Sequence, residues 1–260
     1  MPDGVYVSVL SFIFGLLIGS FLNVLIYRLP RDRSVITGRS KCPQCDDGIA
    51  WYDNVPLLSY FVLRGRCRHC GLRIPVRYPV VELITGATAV VVVRQLGPTL
   101  HSFWVFAFLS ILLVITLIDW SHRIIPDVLT LGGVVFVCIG ALVCLDITIV
   151  ESLLGAVMGG GLLFVIAGVY RIVRKVDGMG GGDVKLMAMI GAFLGWQAVF
   201  PVLILASFLG AVYGLYLMWR GANAQTAVAF GSFLAPSAAL VYVFGESLWQ
   251  VYLRFVLGQA

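Results

Sequence analysis

The sequence predicts an all-α polytopic integral membrane protein of about eight transmembrane helices, with a small zinc-binding cytoplasmic insert. Three observations support this prediction. The 260-residue chain is 60% hydrophobic, is only 12% charged and has a mean hydropathy of +0.98, whereas a soluble domain carries about twice that share of charge. Its basic residues are concentrated in a few loops. Its one long polar segment contains two Cys-Xaa-Xaa-Cys pairs.

Eight apolar stretches are candidate spans. They cover residues 5–27, 80–97, 101–119, 128–146, 150–170, 184–199, 200–219 and 230–256. The second is weakened by Glu82 and Arg94, which bracket a short apolar run, and the sixth has only sixteen residues. The first stretch has no basic segment before it and no small-residue cleavage site after it. We therefore interpret it as a retained span rather than a signal peptide.

The distribution of Lys and Arg sets the orientation. With the N-terminus outside, the loops at 28–79, 119–127, 171–185 and 220–229 face the cytoplasm and hold ten, one, four and one basic residues. That is sixteen of the eighteen in the chain, which is the bias expected of cytoplasmic loops. The net charge of +5 is thereby explained by the membrane, and we expect no nucleic-acid partner.

The chain is predicted to have three parts: a first span (1–27), a cytoplasmic zinc-binding insert (28–79) and a membrane domain of about seven spans (80–260). The insert contains the pairs Cys42/Cys45 and Cys67/Cys70, with twenty-one residues between them. Four thiolates at this spacing are typical of a tetrahedral zinc site. Because four sulfurs leave no open position on the metal, the predicted role of zinc is structural, and it would stabilise a segment too small to fold alone.

Other interpretations of these cysteines remain open. In one alternative the four cysteines are free or redox-active thiols. Structural disulfides are disfavoured by a cytosolic location. In a second alternative His69, inside the second pair, replaces one cysteine as a metal ligand, but we favour the interpretation that it does not bind the metal. Cys138 and Cys144 lie in the fourth predicted span and are interpreted as small packing residues.

Asp119 and Asp183 are the candidate catalytic residues. Asp119 closes the third predicted span, where the helix dipole disfavours an anion. Asp183 opens the sixth, so the predicted topology brings both carboxylates to the cytoplasmic membrane boundary. The structural alternative, a solvated carboxylate at a helix end, suits Asp127 better because Pro126 and Asp127 begin the fourth predicted span.

The glycine-rich run 178–182 precedes Asp183. Glycine disfavours a helix, so we expect this run to be non-helical and to allow a close backbone approach. A phosphate-binding loop is the alternative, but the run lacks the Lys-Ser/Thr ending and a preceding strand. Lys185 is expected at the membrane interface.

Two carboxylates in contact share one proton, because both cannot ionise easily. The ionised member then takes a proton from water while the protonated member polarises a carbonyl, which is the chemistry of an aspartic protease. His122 is the one histidine near this site. It orients Asp119 in one interpretation and belongs to the basic interface in the one we favour.

Two other functions fit the same residues. One is a transporter that uses the acidic pair for proton or cation coupling, although both carboxylates are predicted at one membrane face. The other is a zinc-insert scaffold without catalysis, which gives the glycine-rich run no purpose.

Several motifs together resemble the type IV prepilin peptidases, the bifunctional leader peptidase/N-methyltransferase family of membrane aspartic proteases. The resemblance covers nearly the whole chain. Its motifs are Gly19-Ser20-Phe21-Leu22-Asn23-Val24, Tyr27-Arg28-Leu29-Pro30, the two cysteine pairs, Arg77-Tyr78-Pro79-Val80-Val81-Glu82-Leu83, Ile125-Pro126-Asp127 and Gly180-Gly181-Gly182-Asp183-Val184-Lys185. The last contains the family's Gly-Xaa-Gly-Asp motif.

The resemblance implies that Asp119 and Asp183 cleave short basic leaders from type IV prepilins or pseudopilins at the cytoplasmic face of the bacterial inner membrane. It also implies methylation of the new N-terminus with S-adenosylmethionine, in the region of the cysteine insert. The residues that bind the methyl donor are not identified by the sequence. Glu82 is one candidate, and pairing with Arg77 is its alternative role; Asn23 is interpreted as a helix-packing residue.

Overall fold

The architecture comes from a computed structural model, which describes residues 2–36, 38, 40–42, 44–175, 179–221 and 229–257, with side chains except at 2, 3 and 246–257. Within those ranges the protein is all-helical, with two isolated β-bridges. Gly178, the first residue of the glycine-rich run, lies outside the described residues.

Each of the eight predicted spans overlaps one α-helix of fourteen residues or more, and a short α-helix lies in the insert. The nine helices of the described residues are α1 (Pro2–Arg28), α2 (Leu58–Val62), α3 (Arg77–Leu96), α4 (Leu100–His122), α5 (Asp127–Val143), α6 (Ile149–Arg174), α7 (Gly181–Leu194), α8 (Val199–Trp219) and α9 (Gly231–Leu257). The all-α fold is thus confirmed.

The number of spans is not confirmed. By length and hydropathy, five segments of the described chain are long enough to cross a bilayer; these contain α1, α3, α4, α6 and α8. α5 and the described part of α9 are apolar but shorter. α7 has fourteen residues, so at 1.5 Å per residue it is shorter than a bilayer core of about 30 Å. The interpretation of 184–199 as a full span is therefore not supported.

The chain forms two compact units, residues 1–110 and 111–260, with the boundary inside α4. In the first unit α1 packs antiparallel against α3 through small residues. A Cβ on Gly15 would lie 2.7 Å from the Cα of Gly86. Asn23 Nδ2 donates to the Tyr78 carbonyl at 3.1 Å, which confirms a helix-packing role for this amide. The three-part division predicted from the sequence stays a prediction.

In the second unit α7 is the central helix and packs against α5, α6 and α9. Leu186, Met187, Met189 and Ile190 are fully buried. α6 approaches α7 at backbone contact, because a Cβ on Gly155 would lie 2.0 Å from the Gly191 carbonyl oxygen. This contact fixes the helix that begins with the Asp183 turn.

The glycine run departs from the prediction in one respect. Gly181 and Gly182 form the first residues of α7 instead of a non-helical loop. Tertiary packing outweighs the low helix propensity of these glycines. The backbone of Gly182 packs closely against Ile125, because a Cβ on Gly182 would lie 2.9 Å from the Ile125 Cβ. The predicted close approach is therefore present, but inside a helical turn.

α9 begins at Gly231 and contains Pro236 in its interior. α8 and α9 pack against each other. Much of α6 and α8 presents large apolar side chains at the protein surface, such as Val157, Phe164, Ile204 and Phe208. Exposed apolar surface of this extent suits contact with lipid.

Candidate functional site

The four cysteines of the insert come together in the first unit. Their sulfur atoms all lie within 4.8 Å of one another, and the Sγ atoms of Cys42 and Cys70 are 3.6 Å apart. Tetrahedral zinc with Zn–S bonds of about 2.3 Å separates its sulfurs by roughly 3.8 Å. The donor set and its spacing therefore fit a zinc ion.

The two cysteine pairs have the same backbone geometry. The amide of Cys42 donates to the Asp47 carbonyl at 2.9 Å, and the amide of Cys67 donates to the Leu72 carbonyl at 2.8 Å. Each pair thus sits at the tip of a tight turn. Amide hydrogen bonds from Cys45 and Gln44 lower the pKa of the Cys42 thiol to about 6. Against an amide hydrogen bond from Asp47, burial and the contact with Cys42 raise the pKa of the Cys45 thiol to about 12, so the thiolate is favoured at Cys42 and not at Cys45.

Other residues of the insert are bystanders to the cluster. His69 is not part of the sulfur group, and its Nδ1 lies 3.7 Å from Asp47. Arg68 makes two bonds to Asp53, at 2.6 and 2.8 Å. The side chain of His69 is exposed, as expected for a bystander.

Glu82 is buried in the first unit and is 7% exposed. Its Oε2 accepts the Leu57 amide at 2.8 Å, and Leu57 has a positive φ of 58° at the start of α2. Glu82 therefore connects the insert to α3 rather than pairing with Arg77, the alternative that the sequence analysis weighed. The hydrogen bond to its carboxylate stabilises the turn at Leu57, whose positive φ is unfavourable for a bulky side chain.

The second unit contains the aspartates. Asp119 lies in the last turn of α4 and is 4% exposed. Its Oδ2 accepts two hydrogen bonds from Ser232, from the backbone amide at 2.7 Å and from Oγ at 3.0 Å. Such bonds to an ionised oxygen are stronger than neutral ones and hold the carboxylate in one orientation.

Asp183 lies in the first turn of α7, before the predicted sixth span, and is 8% exposed. Burial, and then the negative charge of Asp119, raises the pKa of Asp183 to about 6, against amide hydrogen bonds from Gly180 and Gly231. A carboxyl group with this pKa holds its proton more readily than Asp in water. The pair is therefore suited to carry a single proton.

Gly231 brings the two carboxylates to one point. A Cβ on Gly231 would lie 3.0 Å from Asp119 Oδ2 and 3.2 Å from Asp183 Oδ1. It would also lie 2.6 Å from the Cδ1 atom of Ile125. A side chain at this position would shift the end of the Ile125 side chain and press on both carboxylates, so glycine suits this geometry.

Two further polar side chains that the sequence analysis considered are Lys185 and His122. Lys185 binds Asp127 at 2.7 and 2.8 Å, so its partner is an acid at the start of α5. His122 Nδ1 is buried without a hydrogen-bond partner among the described residues. The bonds that orient Asp119 come from Ser232 and not from His122.

The sequence analysis did not identify Gly231, Ser232 or Ile125 as parts of the site. A short pattern was available, because Gly231 and Ser232 begin the last apolar stretch directly after a loop that was predicted to be cytoplasmic. That loop lies at the same predicted membrane face as Asp119 and Asp183. Neither residue type indicates catalysis by itself, so the pattern was not specific.

A groove of about 500 Å³ lies beside the aspartates in the second unit. It is lined by Leu209, Val212, Tyr213, Tyr216, Ser232, Phe233 and Pro236. Trp120, which follows Asp119, lies against Tyr213 with ring centroids 5.2 Å apart. The groove is mainly apolar, and Ser232 links it directly to Asp119.

Two family models match the chain. The bacterial peptidase A24 N-terminal domain matches residues 13–96, and the type IV leader peptidase family matches residues 106–215. No solved structure matches.

Similar proteins are described as prepilin leader peptidase/N-methyltransferases. One from Aeromonas salmonicida (strain A449) is 35% identical, over 95% of this chain and 94% of the relative. One from Burkholderia pseudomallei (strain 1026b) is 34% identical, over 96% and 89%. One from Pseudomonas aeruginosa PAO1 is 33% identical, over 94% and 93%. These similarities give no support to a transporter.

Proposed function

The chain belongs to the type IV leader peptidase family, and we propose that Asp119 and Asp183 are the catalytic pair with which it cleaves its substrates. The observation that carries this proposal is the position of Gly231, whose α-carbon faces both carboxylates. Each carboxylate is more than nine-tenths buried in the second unit. Two buried acids that border the same point are characteristic of general acid–base chemistry.

The pair activates water without a metal. One carboxylate is ionised and takes a proton from the attacking water, while the other is protonated and donates a hydrogen bond to the scissile carbonyl. The water oxygen then bonds to the carbonyl carbon. When the tetrahedral intermediate breaks down, the leaving amine receives a proton from the pair.

The proposed substrates are type IV prepilins or pseudopilins, because the relatives are named for prepilin processing. The products are a short basic leader and a mature pilin. The apolar groove beside Ser232 supports a substrate with an apolar segment next to the scissile bond. The site is proposed to open to the cytoplasmic face of the bacterial inner membrane, and the concentration of basic residues in the loops next to the aspartates supports this orientation.

The second proposed activity is N-methylation of the new N-terminus, as the names of the relatives indicate. S-adenosylmethionine is the proposed methyl donor. The proposal names no residue as a donor-binding group. It assigns this activity to the first unit, over which the N-terminal family model matches.

Zinc at Cys42, Cys45, Cys67 and Cys70 is proposed as a structural ion. When bound, it would cross-link the two turns of the insert. The residues of this chain supply the four thiolates, and the Glu82–Leu57 bond holds the insert to α3 independently of the metal.

The test is an incubation of the purified full-length protein with a type IV prepilin in detergent, with and without S-adenosylmethionine. Mass spectrometry then reads loss of the leader and addition of one methyl group. We expect Asp119→Asn and Asp183→Asn each to reduce cleavage on the order of 10³-fold, because each removes one proton-transfer group. The matched control is Asp146→Asn, an acid between α5 and α6 outside the site.

Normal cleavage by either folded aspartate variant would contradict the assignment of the pair. Melting curves in detergent establish that each variant is folded. Cleavage without methylation in the presence of the donor would restrict the proposal to the peptidase.

A further inference from the structure

Ser232 of the second unit donates two hydrogen bonds to Asp119, and neither the family match nor the names of the relatives assign it a role. We propose that Ser232 is a positioning residue that holds Oδ2 of Asp119, so that Oδ1 of Asp119 is the oxygen that takes the proton from water. This inference rests on the proposed peptidase function. It assigns a different role in proton transfer to each of the two carboxylates.

The geometry supports this role in two ways. Oδ2 of Asp119 receives both the amide and the hydroxyl of Ser232, at 2.7 and 3.0 Å. These donors occupy the lone pairs of one oxygen and stabilise negative charge on it. In the part of the chain that the structure describes, the hydroxyl hydrogen has one competing acceptor, the Thr116 carbonyl, and this contact is longer at 3.5 Å. Ser232 is 4% exposed, so solvent competes little.

The two carboxylates are held differently. Asp119 receives a side-chain hydroxyl in addition to an amide, whereas the donors to Asp183 are the backbone amides of Gly180 and Gly231. Because Ser232 adds a second donor to Oδ2 of Asp119, the proposal gives Asp119 the ionised role of accepting the proton of water. Asp183 then has the role of keeping the proton and polarising the carbonyl.

The charged groups that act on this arrangement are few among the described residues. Arg123 follows α4 and places a positive charge near Asp119, and Asp183 faces it from α7. Lys185 is already bound to Asp127. Ser232 is therefore the neutral group whose removal changes Asp119 without changing the net charge of the site.

The test compares Ser232→Ala and Ser232→Thr with the unsubstituted enzyme, using a purified type IV prepilin that the latter cleaves. Ser232→Ala keeps the hydrogen bond from the backbone amide to Asp119 but removes the hydrogen bond from the hydroxyl. We expect kcat to fall about ten-fold with KM little changed, because a hydrogen bond to a charged group is lost. We also expect the acid limb of the kcat/KM profile to move up by about one pH unit, since the ionised carboxylate loses a donor. Ser232→Thr keeps a hydroxyl and should restore both values.

Ser237→Ala is the matched control. Ser237 is also a buried serine of α9, and its Oγ has no hydrogen-bond partner among the described residues. The same atom is therefore removed from the same helix without a contact to Asp119. We expect its kcat and its pH profile to match those of the unsubstituted enzyme.

An unchanged kcat and acid limb in folded Ser232→Ala would overturn the proposal, as would equal effects of Ser232→Ala and Ser237→Ala. Failure of Ser232→Thr to restore activity, with normal melting, would also count against it. The Asp119→Asn variant separates this failure from failure of the proposed function. If it still cleaves, the catalytic pair itself is wrong; if it is inactive while Ser232→Ala is normal, only the role of Ser232 is wrong.

Discussion

The cysteine cluster and the carboxylate pair differ in how the chain brings them together. The sulfurs of Cys42 and Cys70 meet over a separation of 28 residues, within one polar segment. Asp119 and Ser232 meet over 113 residues, and helices α4, α7 and α9 must all be in place for the site to exist. The first depends on local turns, whereas the second depends on long-range helix packing.

This difference indicates which change should disrupt each site: loss of a metal for the cysteine cluster, and loss of helix packing for the carboxylate pair. The cluster has little apolar core beside it, so its stability is expected to come from a metal. The carboxylate pair has no metal requirement in the proposed mechanism and depends on backbone contacts such as that of Gly155 with Gly191. Each site should therefore be separable from the other by the right substitution.

The largest effect is expected from Cys42→Ser combined with Cys70→Ser. Two of four ligands are lost, so zinc content should fall from about one equivalent to near zero, as metal analysis of the purified protein would measure. The insert should then become sensitive to protease, because its cross-link is gone. Cys138→Ser, in α5, is the control and should retain zinc. Full zinc content in the double variant would refute the cluster as the metal site.

Gly155→Ala should have the next largest effect, this time on the carboxylate pair. The added Cβ would lie 2.0 Å from the Gly191 carbonyl, and a backbone atom cannot rotate away. α6 and α7 must separate, which should destabilise the second unit by about 1–3 kcal/mol and reduce leader cleavage while zinc content stays constant. The thermal midpoint and the cleavage rate measure this.

Gly161→Ala on the same helix is the control for this substitution, because no atom lies within 4 Å of its Cβ position. An unchanged midpoint in Gly155→Ala would show that the two helices can separate without cost, and the proposed dependence on long-range packing would be wrong.

The smallest of the three effects is on the pH dependence of cleavage. The pKa of Asp183 is raised to about 6, so the free enzyme holds the proton of the pair below that pH and loses it above. We expect kcat/KM to fall as the pH rises through about 6, approaching ten-fold per unit. Zinc content measured over pH 6–8 should stay constant. A flat profile across that range would contradict the assignment of the protonated role to Asp183.

The helices were predictable because hydropathy alone determines where apolar segments begin and end. α4, expected at 101–119, runs from Leu100 to His122, and α8, expected at 200–219, runs from Val199 to Trp219. α7 was less predictable as a span. Its burial comes from neighbouring helices rather than from lipid, and a buried helix has the same composition as a spanning one.

The carboxylates and cysteines could be selected as candidates because these residue types are rare in such a chain or regularly spaced. Gly231 and Ser232 were missed because their contribution is geometric. A glycine that touches two carboxylates and a serine that donates twice to one of them are ordinary residues in the sequence. Their importance appears only when α9 is placed beside α4 and α7, which no local pattern encodes.

Pro236 gives the site a mechanical property. A proline has no amide hydrogen, so the carbonyl of Ser232 receives no helical bond from position 236. The first turn of α9, which holds Asp119 through Ser232, therefore lacks one of the backbone hydrogen bonds that would join it to the rest of the helix. A change in the angle of the first turn of α9 therefore breaks fewer helical hydrogen bonds at this point than it would in a helix without proline.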